Sequence, residues 1–108
     1  MPFAIVLLAP LASAALARPS AWQDDAKALY DANCMQCHGV RGVPPKSMKA
    51  AFPKVATFDA AFIASRTDDS IVKVITRGKN DVMPSFRSKL TQQQMTTIAK
   101  YVRGLASK

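Results

Sequence analysis

The chain has 108 residues, with 15 lysines and arginines against 7 acidic residues, which gives a formal net charge of +8. This length allows one small domain and excludes a second. A domain this small is only marginally stabilised by its own buried side chains, so we expect another group to contribute to its core. The positive charge alone is compatible with nucleic acid, an anionic membrane or an acidic protein as the partner.

The first 17 residues carry no charged side chain, and Pro10 interrupts them. This run is shorter than the roughly 20 apolar residues that a membrane-spanning helix needs. It ends in Ala15-Leu16-Ala17, a pattern typical of signal-peptide cleavage, directly before Arg18. We therefore predict a signal peptide over 1–17 and a single domain over 18–108 that is exported to the periplasm. If the segment is not cleaved, it would instead hold the protein at the membrane.

The first helix is predicted to begin with a capping box formed by Ser20 and Gln23. The following acidic residues would then lie in its first turn, where the helix dipole favours negative charge. Apolar residues at three- and four-residue steps as far as Tyr30 mark one buried face. The pattern predicts one helix that continues to His38 and stops at Gly39.

The end of this helix contains Cys34-Met35-Gln36-Cys37-His38, which includes both cysteines and the only histidine of the chain. Two thiols at this spacing followed by an imidazole form the pattern for covalent haem attachment. Each thiol can add to one vinyl group of the porphyrin, and the imidazole of the next residue then faces the iron. The motif predicts one covalently bound haem c, attached at Cys34 and Cys37, with His38 as an iron ligand.

Three other interpretations of the same motif are weaker. A disulfide across three residues closes too short a loop to stabilise the fold appreciably. A thioredoxin-like redox pair needs a βαβ context, and no convincing strand precedes the motif. A structural zinc site needs about four ligands, whereas the cysteines and histidine of this chain supply only three.

The middle of the chain is predicted to be mostly loop. Prolines and glycine interrupt residues 40–57, where a short helical turn from Met48 to Phe52 is the only regular element expected. A helix of one to two turns, capped by Asp59, is expected over 59–65.

Two further helices complete the prediction. Either Thr67 or Asp68 caps the first, which ends before Gly78. Thr91 and Gln94 form a capping box for the last helix, whose apolar stripe begins at Met95.

The residue that fills the iron's second axial position has several candidates. Since the chain has no second histidine, we consider the methionine thioethers, a lysine amine and water. Met35 lies between the cysteines, and Met95 has a core role in its helix. Met83 is favoured because it lies between two helices, beside the rigid Pro84. Met48 and an open sixth position remain as alternatives.

Taken together, Cys34-x-x-Cys37-His38, Gly78, Met83-Pro84-x-Phe86 and a closing amphipathic helix resemble the class I c-type cytochromes, small bacterial proteins with one haem. The resemblance covers roughly the whole of 18–108 and implies an all-α cytochrome c fold, with three to five short helices wrapped around one haem. It also implies that the first and last helices cross, with Ala26 and Tyr30 against Ile98 and Tyr101. A proline carbonyl, from Pro44 or Pro45, is expected to hold the second nitrogen of His38.

An iron bound by both histidine and methionine has no free position for a substrate, which suits one-electron transfer rather than catalysis. We therefore expect an electron carrier between periplasmic redox proteins rather than an enzyme. The alternatives are a haem c subunit of a respiratory oxidase or dehydrogenase complex, and a haem sensor or catalyst with a labile sixth ligand. The expected partners are acidic oxidases, reductases or dehydrogenases, not nucleic acid. The candidate docking residues flank the ligand-bearing loops; they are Lys46, Lys49, Lys54, Lys79, Arg87 and Lys89.

Overall fold

A computed structural model describes residues 2–6 and 25–107. Within these ranges the chain forms six helical segments and no strand, apart from one isolated bridge between Lys79 and Met83. The helices are α1 (Ala26–Asn33), α2 (Met35–His38), α3 (Lys46–Ala51), α4 (Ala60–Ala64), α5 (Asp68–Arg77) and α6 (Gln92–Leu105). The all-α prediction is confirmed. In the described part of the chain, every helix is too short or too polar to cross a membrane.

Helix α1 begins at Ala26, later than predicted. Asp25 is not in its first turn but is its N-cap, with an extended backbone, and its carboxylate accepts hydrogen bonds from the N–H groups of Lys27 and Ala28. A carboxylate at this position satisfies backbone donors that have no partner within the helix. The predicted capping box of Ser20 and Gln23 lies outside the described residues.

The predicted single helix through His38 is divided at Cys34, which is why the structure has six segments. Cys34 has a φ of −122°, far from the helical value, although its N–H still donates to the Tyr30 carbonyl. Helical hydrogen bonding resumes in the next turn, where the Cys34 carbonyl accepts from the N–H of His38 at 3.0 Å. The regular helix is therefore interrupted at the first cysteine of the motif.

The caps of the short helices follow the sequence closely. Asp59 accepts from the N–H of Phe62 at the start of α4, and Thr67, rather than Asp68, accepts from the N–H of Ser70 at the start of α5. Helix α3 begins at Lys46, directly after Pro45 and two residues before the predicted start. Its position after a proline fits the preset φ of that residue.

The core lies where α6 packs against α1 and α5. The capping box of Thr91 and Gln94 is present. From Met95 onward α6 places its predicted apolar stripe inside, and Ile98 and Tyr30 are fully buried. The rings of Tyr30 and Tyr101 contact each other with centroids 5.1 Å apart. The predicted pairing of the first and last helices is thus confirmed.

Arg103, near the end of α6, joins this helix to the junction between α4 and α5. Its guanidinium donates to the carboxylate of Asp68 at 2.6 Å and to the carbonyl of Arg66 at 2.8 Å. A guanidinium can satisfy several acceptors at once because its donors form a planar fork. The C-terminal helix therefore holds the turn that follows α4.

Candidate haem site

The two cysteines and the histidine of the motif share one helical turn. The N–H groups of Cys37 and His38 both approach the Cys34 carbonyl, at 3.3 and 3.0 Å. Both cysteines are free thiols, Cys34 half-buried and Cys37 exposed. The geometry therefore leaves two unpaired thiols on the same short segment as the only imidazole.

The two thiols differ in their surroundings. Burial, with a smaller contribution from neighbouring Cys37, raises the pKa of Cys34 to about 11. In this fold the Cys34 sulfur is therefore a neutral thiol at neutral pH.

One hydrogen bond orients the imidazole of His38. Its Nδ1 lies 3.0 Å from the carbonyl oxygen of Ala56. Since a carbonyl can only accept, Nδ1 carries the proton and the lone pair is on Nε2. Burial lowers the pKa of His38, which keeps the ring neutral and able to bind a metal. This is the protonation state that an iron ligand requires.

The prediction that Pro44 or Pro45 provides this carbonyl is wrong, because Ala56 does so. The Phe58 N–H donates to the Gly42 carbonyl at 2.8 Å, which holds the irregular stretch 55–58 beside the turn that follows His38. Nothing in the sequence marks Ala56, because a backbone carbonyl is common to every residue.

The ring of Phe58 packs against one face of the His38 imidazole. The two rings are stacked, with centroids 4.6 Å apart and planes at 20°. Phe58 also contacts the rings of Tyr30 and Phe62. Gly42 permits this approach, because a Cβ atom there would lie 2.9 Å from the Phe58 Cβ and its φ is +78°. Sequence reasoning did not find Phe58, although an aromatic residue following a proline-rich loop was the available signal.

Tyr30 holds the chain just beyond His38. Its hydroxyl donates to the carbonyl of Gly39 at 2.7 Å, and the side chain is fully buried. Burial raises the pKa of Tyr30 above its ordinary value, so the hydroxyl remains a donor. The motif is therefore attached to the core both at Cys34, through α1, and at Gly39.

Met83 lies in a tight loop between α5 and α6. It exchanges two backbone hydrogen bonds with Lys79, at 3.0 and 3.1 Å, and its side chain is half-buried against the core. Asn80 and Asp81 both have positive φ, near 55°, within this loop. Gly78 also has positive φ, and a Cβ atom there would collide with the Met83 carbonyl. The backbone beside Met83 is thus closely constrained.

The other methionines are placed differently. Met95 is buried, and its sulfur lies 3.3 Å from the hydroxyl oxygen of Thr76, which donates its proton to the Val72 carbonyl at 2.7 Å, so Met95 packs within the core. Met48 is half-buried on α3, and Met35 lies between the two cysteines. Met83 differs from these three because its half-buried thioether belongs to an irregular loop with a constrained backbone.

These groups fit a covalently bound haem by their chemistry. Two free thiols can form two thioethers, and a neutral imidazole with its lone pair on Nε2 can bind iron. A methionine thioether is a soft ligand that suits iron in such sites.

Comparison with known proteins agrees with this chemistry. The sequence model of the family described as cytochrome c oxidase, cbb3-type, subunit III matches residues 21–102, more than half of the chain. The chain belongs to the c-type cytochromes.

Individual relatives extend this result. A cytochrome c6 from Anabaena variabilis is 32% identical over 82 residues, which cover 72% of this chain and 85% of that protein. A cbb3-type cytochrome c oxidase subunit CcoP from Azospirillum brasilense is 30% identical over 81 residues, or 73% of this chain. The chain spans about a quarter of the length of the CcoP relatives, 27% and 25% of the two that match.

A solved structure supports the fold as well. The KustC0563 c-type cytochrome superposes with a TM-score of 0.67 at 31% identity, covering 74% of this chain and 95% of that one. The cytochrome is therefore a small class I protein with the all-α cytochrome c fold, and its cofactor is covalently bound haem c.

The candidate docking residues that flank the ligand-bearing loops are all exposed; they are Lys46, Lys49, Lys54, Lys79, Arg87 and Lys89. Two of them make contacts of their own. Lys49 donates to the Val55 carbonyl at 3.0 Å, and the Lys89 ammonium lies 5.7 Å from the centre of the Phe86 ring. Their exposure leaves the six charges accessible to a partner.

Proposed function

We propose that this cytochrome is a one-electron carrier whose haem is attached through thioethers to Cys34 and Cys37, with His38 and Met83 as axial ligands. The observation that carries the proposal is the hydrogen bond from His38 Nδ1 to the Ala56 carbonyl, because it leaves the lone pair of Nε2 available to bind iron. The constrained loop around Met83 supports the second ligand.

The chain's residues would do three things for the cofactor, which supplies one-electron iron chemistry. His38 and Met83 would fill both axial positions, so that no substrate reaches the iron. The stack of Phe58 on His38 would keep water from one side of the imidazole. A soft thioether and burial together favour the reduced state. This arrangement suits electron transfer with little rearrangement of the ligands, rather than catalysis.

We further propose that residues 1–17 are an export signal and that 18–108 form a single periplasmic domain. Acidic redox proteins would then be the partners, drawn to the exposed basic residues near the ligand-bearing loops. Mass spectrometry of the mature protein should find Arg18 as its first residue, and an intact Met1 would contradict cleavage. Electron-transfer rates that do not change between low and high salt would contradict charge steering.

The attachment is tested by a pyridine haemochrome spectrum of the exported protein. We expect the spectrum of a haem with two thioether bonds. Replacing either Cys34 or Cys37 by alanine should shift it to that of a single thioether. An unchanged spectrum in the Cys37→Ala protein would contradict the assignment of that thiol.

Iron ligation is tested by comparing Met83→Ala with Met48→Ala. The oxidised wild-type protein should show the weak far-red absorption band that marks iron–methionine ligation in this family. The band should disappear in Met83→Ala and persist in Met48→Ala, and only Met83→Ala should bind carbon monoxide rapidly when reduced. Rapid binding by the wild-type protein would instead indicate a labile sixth ligand.

A second candidate function is that of a haem c subunit in a respiratory oxidase complex. The match to the cbb3-type subunit III family and to CcoP favours it, although the chain spans only a quarter of the CcoP length. Isolation at native expression levels distinguishes the two. A carrier should separate from membrane complexes at moderate salt, whereas a subunit should co-purify with an oxidase in constant proportion.

A further inference from the structure

A groove with a volume of about 540 Å³ opens between α5 and the stretch that leads into α6. Its lining side chains form an apolar floor and a basic rim; the floor includes Val72, Leu90 and Met95, and the rim carries Lys73, Arg77 and Arg87. Leu90 and Met95 are buried, whereas the three cationic residues are exposed. The groove thus combines apolar contact area with a concentration of positive charge.

The fold builds this groove from two sides. On α5, residues 72, 73, 76 and 77 lie on one face because of the helical repeat, and Ile71 and Ile75 point into the core. On the other side, the Phe86 N–H donates to the Ile75 carbonyl at 3.0 Å. The Ser85 hydroxyl donates to the Thr76 carbonyl at 2.6 Å and accepts from the Arg87 N–H. These bonds fix Arg87 beside the C-terminal end of α5.

The three cations have no ion-pair partner among the described residues. Lys73 and Arg77 are four residues apart on one helix, where like charges repel. The helix dipole favours Arg77 in the last turn of α5, but it does not account for Lys73 in the middle of that helix or for Arg87, which lies outside any helix. Among the described residues, only Lys27 with Asp31 and Arg103 with Asp68 form ion pairs, and none of these four residues lines the groove. The groove therefore presents positive charge that the described part of the chain does not neutralise.

We propose that this groove docks an acidic amphipathic segment of a partner protein. An apolar side chain of that segment would lie over Leu90 and Met95, and its flanking carboxylates would pair with the three cations. Arginine suits this role because its guanidinium binds a carboxylate through two parallel hydrogen bonds. The apolar floor favours a peptide with a buried anchor over a ligand that offers phosphate groups alone.

The groove does not include Cys34, Cys37, His38 or Met83, although Arg87 on its rim is also one of the six candidate docking residues. A peptide segment bound in the groove would therefore not contact these four residues. The cytochrome could thus remain attached to one protein through the groove while it exchanges an electron with another. This inference does not depend on which residue is the sixth ligand.

A synthetic hexapeptide with the sequence Asp-Glu-Leu-Phe-Glu-Asp, blocked at both ends, is a suitable probe. We would titrate it at low salt into the ¹⁵N-labelled, reduced holoprotein and follow the amide shifts. The expected shifts are at residues 72–77 and 86–92. Lys73→Glu combined with Arg77→Glu should weaken binding about tenfold. The matched variant with Lys46→Glu and Lys49→Glu should bind within about twofold of the wild type.

Two comparison probes test whether binding depends on the peptide's carboxylates and whether the groove binds a lipid surface instead. A peptide with Asn and Gln in place of the acids should bind at least about tenfold more weakly, and equal binding would overturn the role of charge. Vesicles of phosphatidylglycerol test a lipid surface. Vesicle binding that depends on Lys73 and Arg77, without peptide binding, would overturn the proposal in favour of a membrane. Shifts confined to α2 and α3 would overturn it too. The far-red band of each variant reports separately on iron ligation, so the two proposals can fail independently.

Discussion

The Tyr30 hydroxyl donates a 2.7 Å hydrogen bond to the carbonyl oxygen of Gly39, the residue that directly follows the candidate iron ligand His38. Tyr30 is fully buried and also contacts the rings of Tyr101 and Phe58. One side chain therefore joins the helix pair of the core to both the backbone and the aromatic residue that surround His38.

Replacing Tyr30 by phenylalanine should lower the free energy of unfolding by about 1 kcal/mol, since a buried hydrogen bond is lost and the ring is kept. Guanidinium unfolding of the holoprotein measures the change. Tyr101→Phe is the matched control, because its ring contact with Tyr30 would be retained and no hydrogen bond of its hydroxyl is described. A larger loss in Tyr101→Phe than in Tyr30→Phe would contradict the role of the bond to Gly39.

Gly78→Ala should disturb the Met83 loop. The added methyl group would collide with the Met83 carbonyl, and the φ of +74° is unfavourable for alanine. We expect a loss of about 2 kcal/mol in stability and a weaker far-red band.

The control is Gly104→Ala, since a Cβ atom there meets nothing within 4 Å and the residue lies inside α6. It should be neutral or stabilising, by up to about 1 kcal/mol. If Gly78→Ala kept both stability and band, the constraint on Met83 would be disproved.

Phe58→Ala should remove the ring that stacks on His38. We expect a loss of about 2 kcal/mol, less than for a fully buried phenylalanine because Phe58 is half-buried. Phe52→Ala is the comparison, since Phe52 is 39% exposed and makes no described ring contact. Thermal unfolding of the two holoproteins compares them, and equal melting temperatures would show that the stack contributes little.

Stability should also decrease as the pH falls through the titration of His38, the only histidine. Burial lowers its pKa in the folded chain, whereas the unfolded chain binds the proton near pH 6.5. The unfolded state therefore binds more protons between these two values. The stabilising contribution is complete above about pH 6.5 and is lost as the pH falls towards the lower, folded-state pKa. Denaturant midpoints that stay constant from pH 7 to pH 5 would refute this.

Local chemistry made much of the fold predictable. Asp59, Thr67 and Thr91 cap their helices as their side chains indicate, because each cap bonds to a backbone N–H only a few residues away. The attachment motif is equally local. The assignment of Met83 rested on a neighbouring proline, and it stays a prediction.

What the sequence did not reveal depends on contacts between distant residues. Ala56 holds His38 from 18 residues away through a carbonyl that any residue would supply. The division of the first helix at Cys34 is similar, because the Tyr30 bond to Gly39 fixes the turn that follows it. Such relationships appear only once the backbone has been folded.

Arg103 connects the last helix to the residues that surround His38 in the candidate haem site. It holds the carbonyls of Ile63 and Arg66, and the Arg66 guanidinium lies 4.1 Å from the centre of the Phe62 ring, which contacts Phe58. Proteolytic removal of the last six residues would remove Arg103 and thereby weaken the packing of Phe62 against Phe58, the ring that stacks on His38. The cut lies 65 residues from His38 in sequence. Such a clipped protein would keep both cysteines and His38 but would lose the contacts that hold Arg66 and Phe62 beside Phe58.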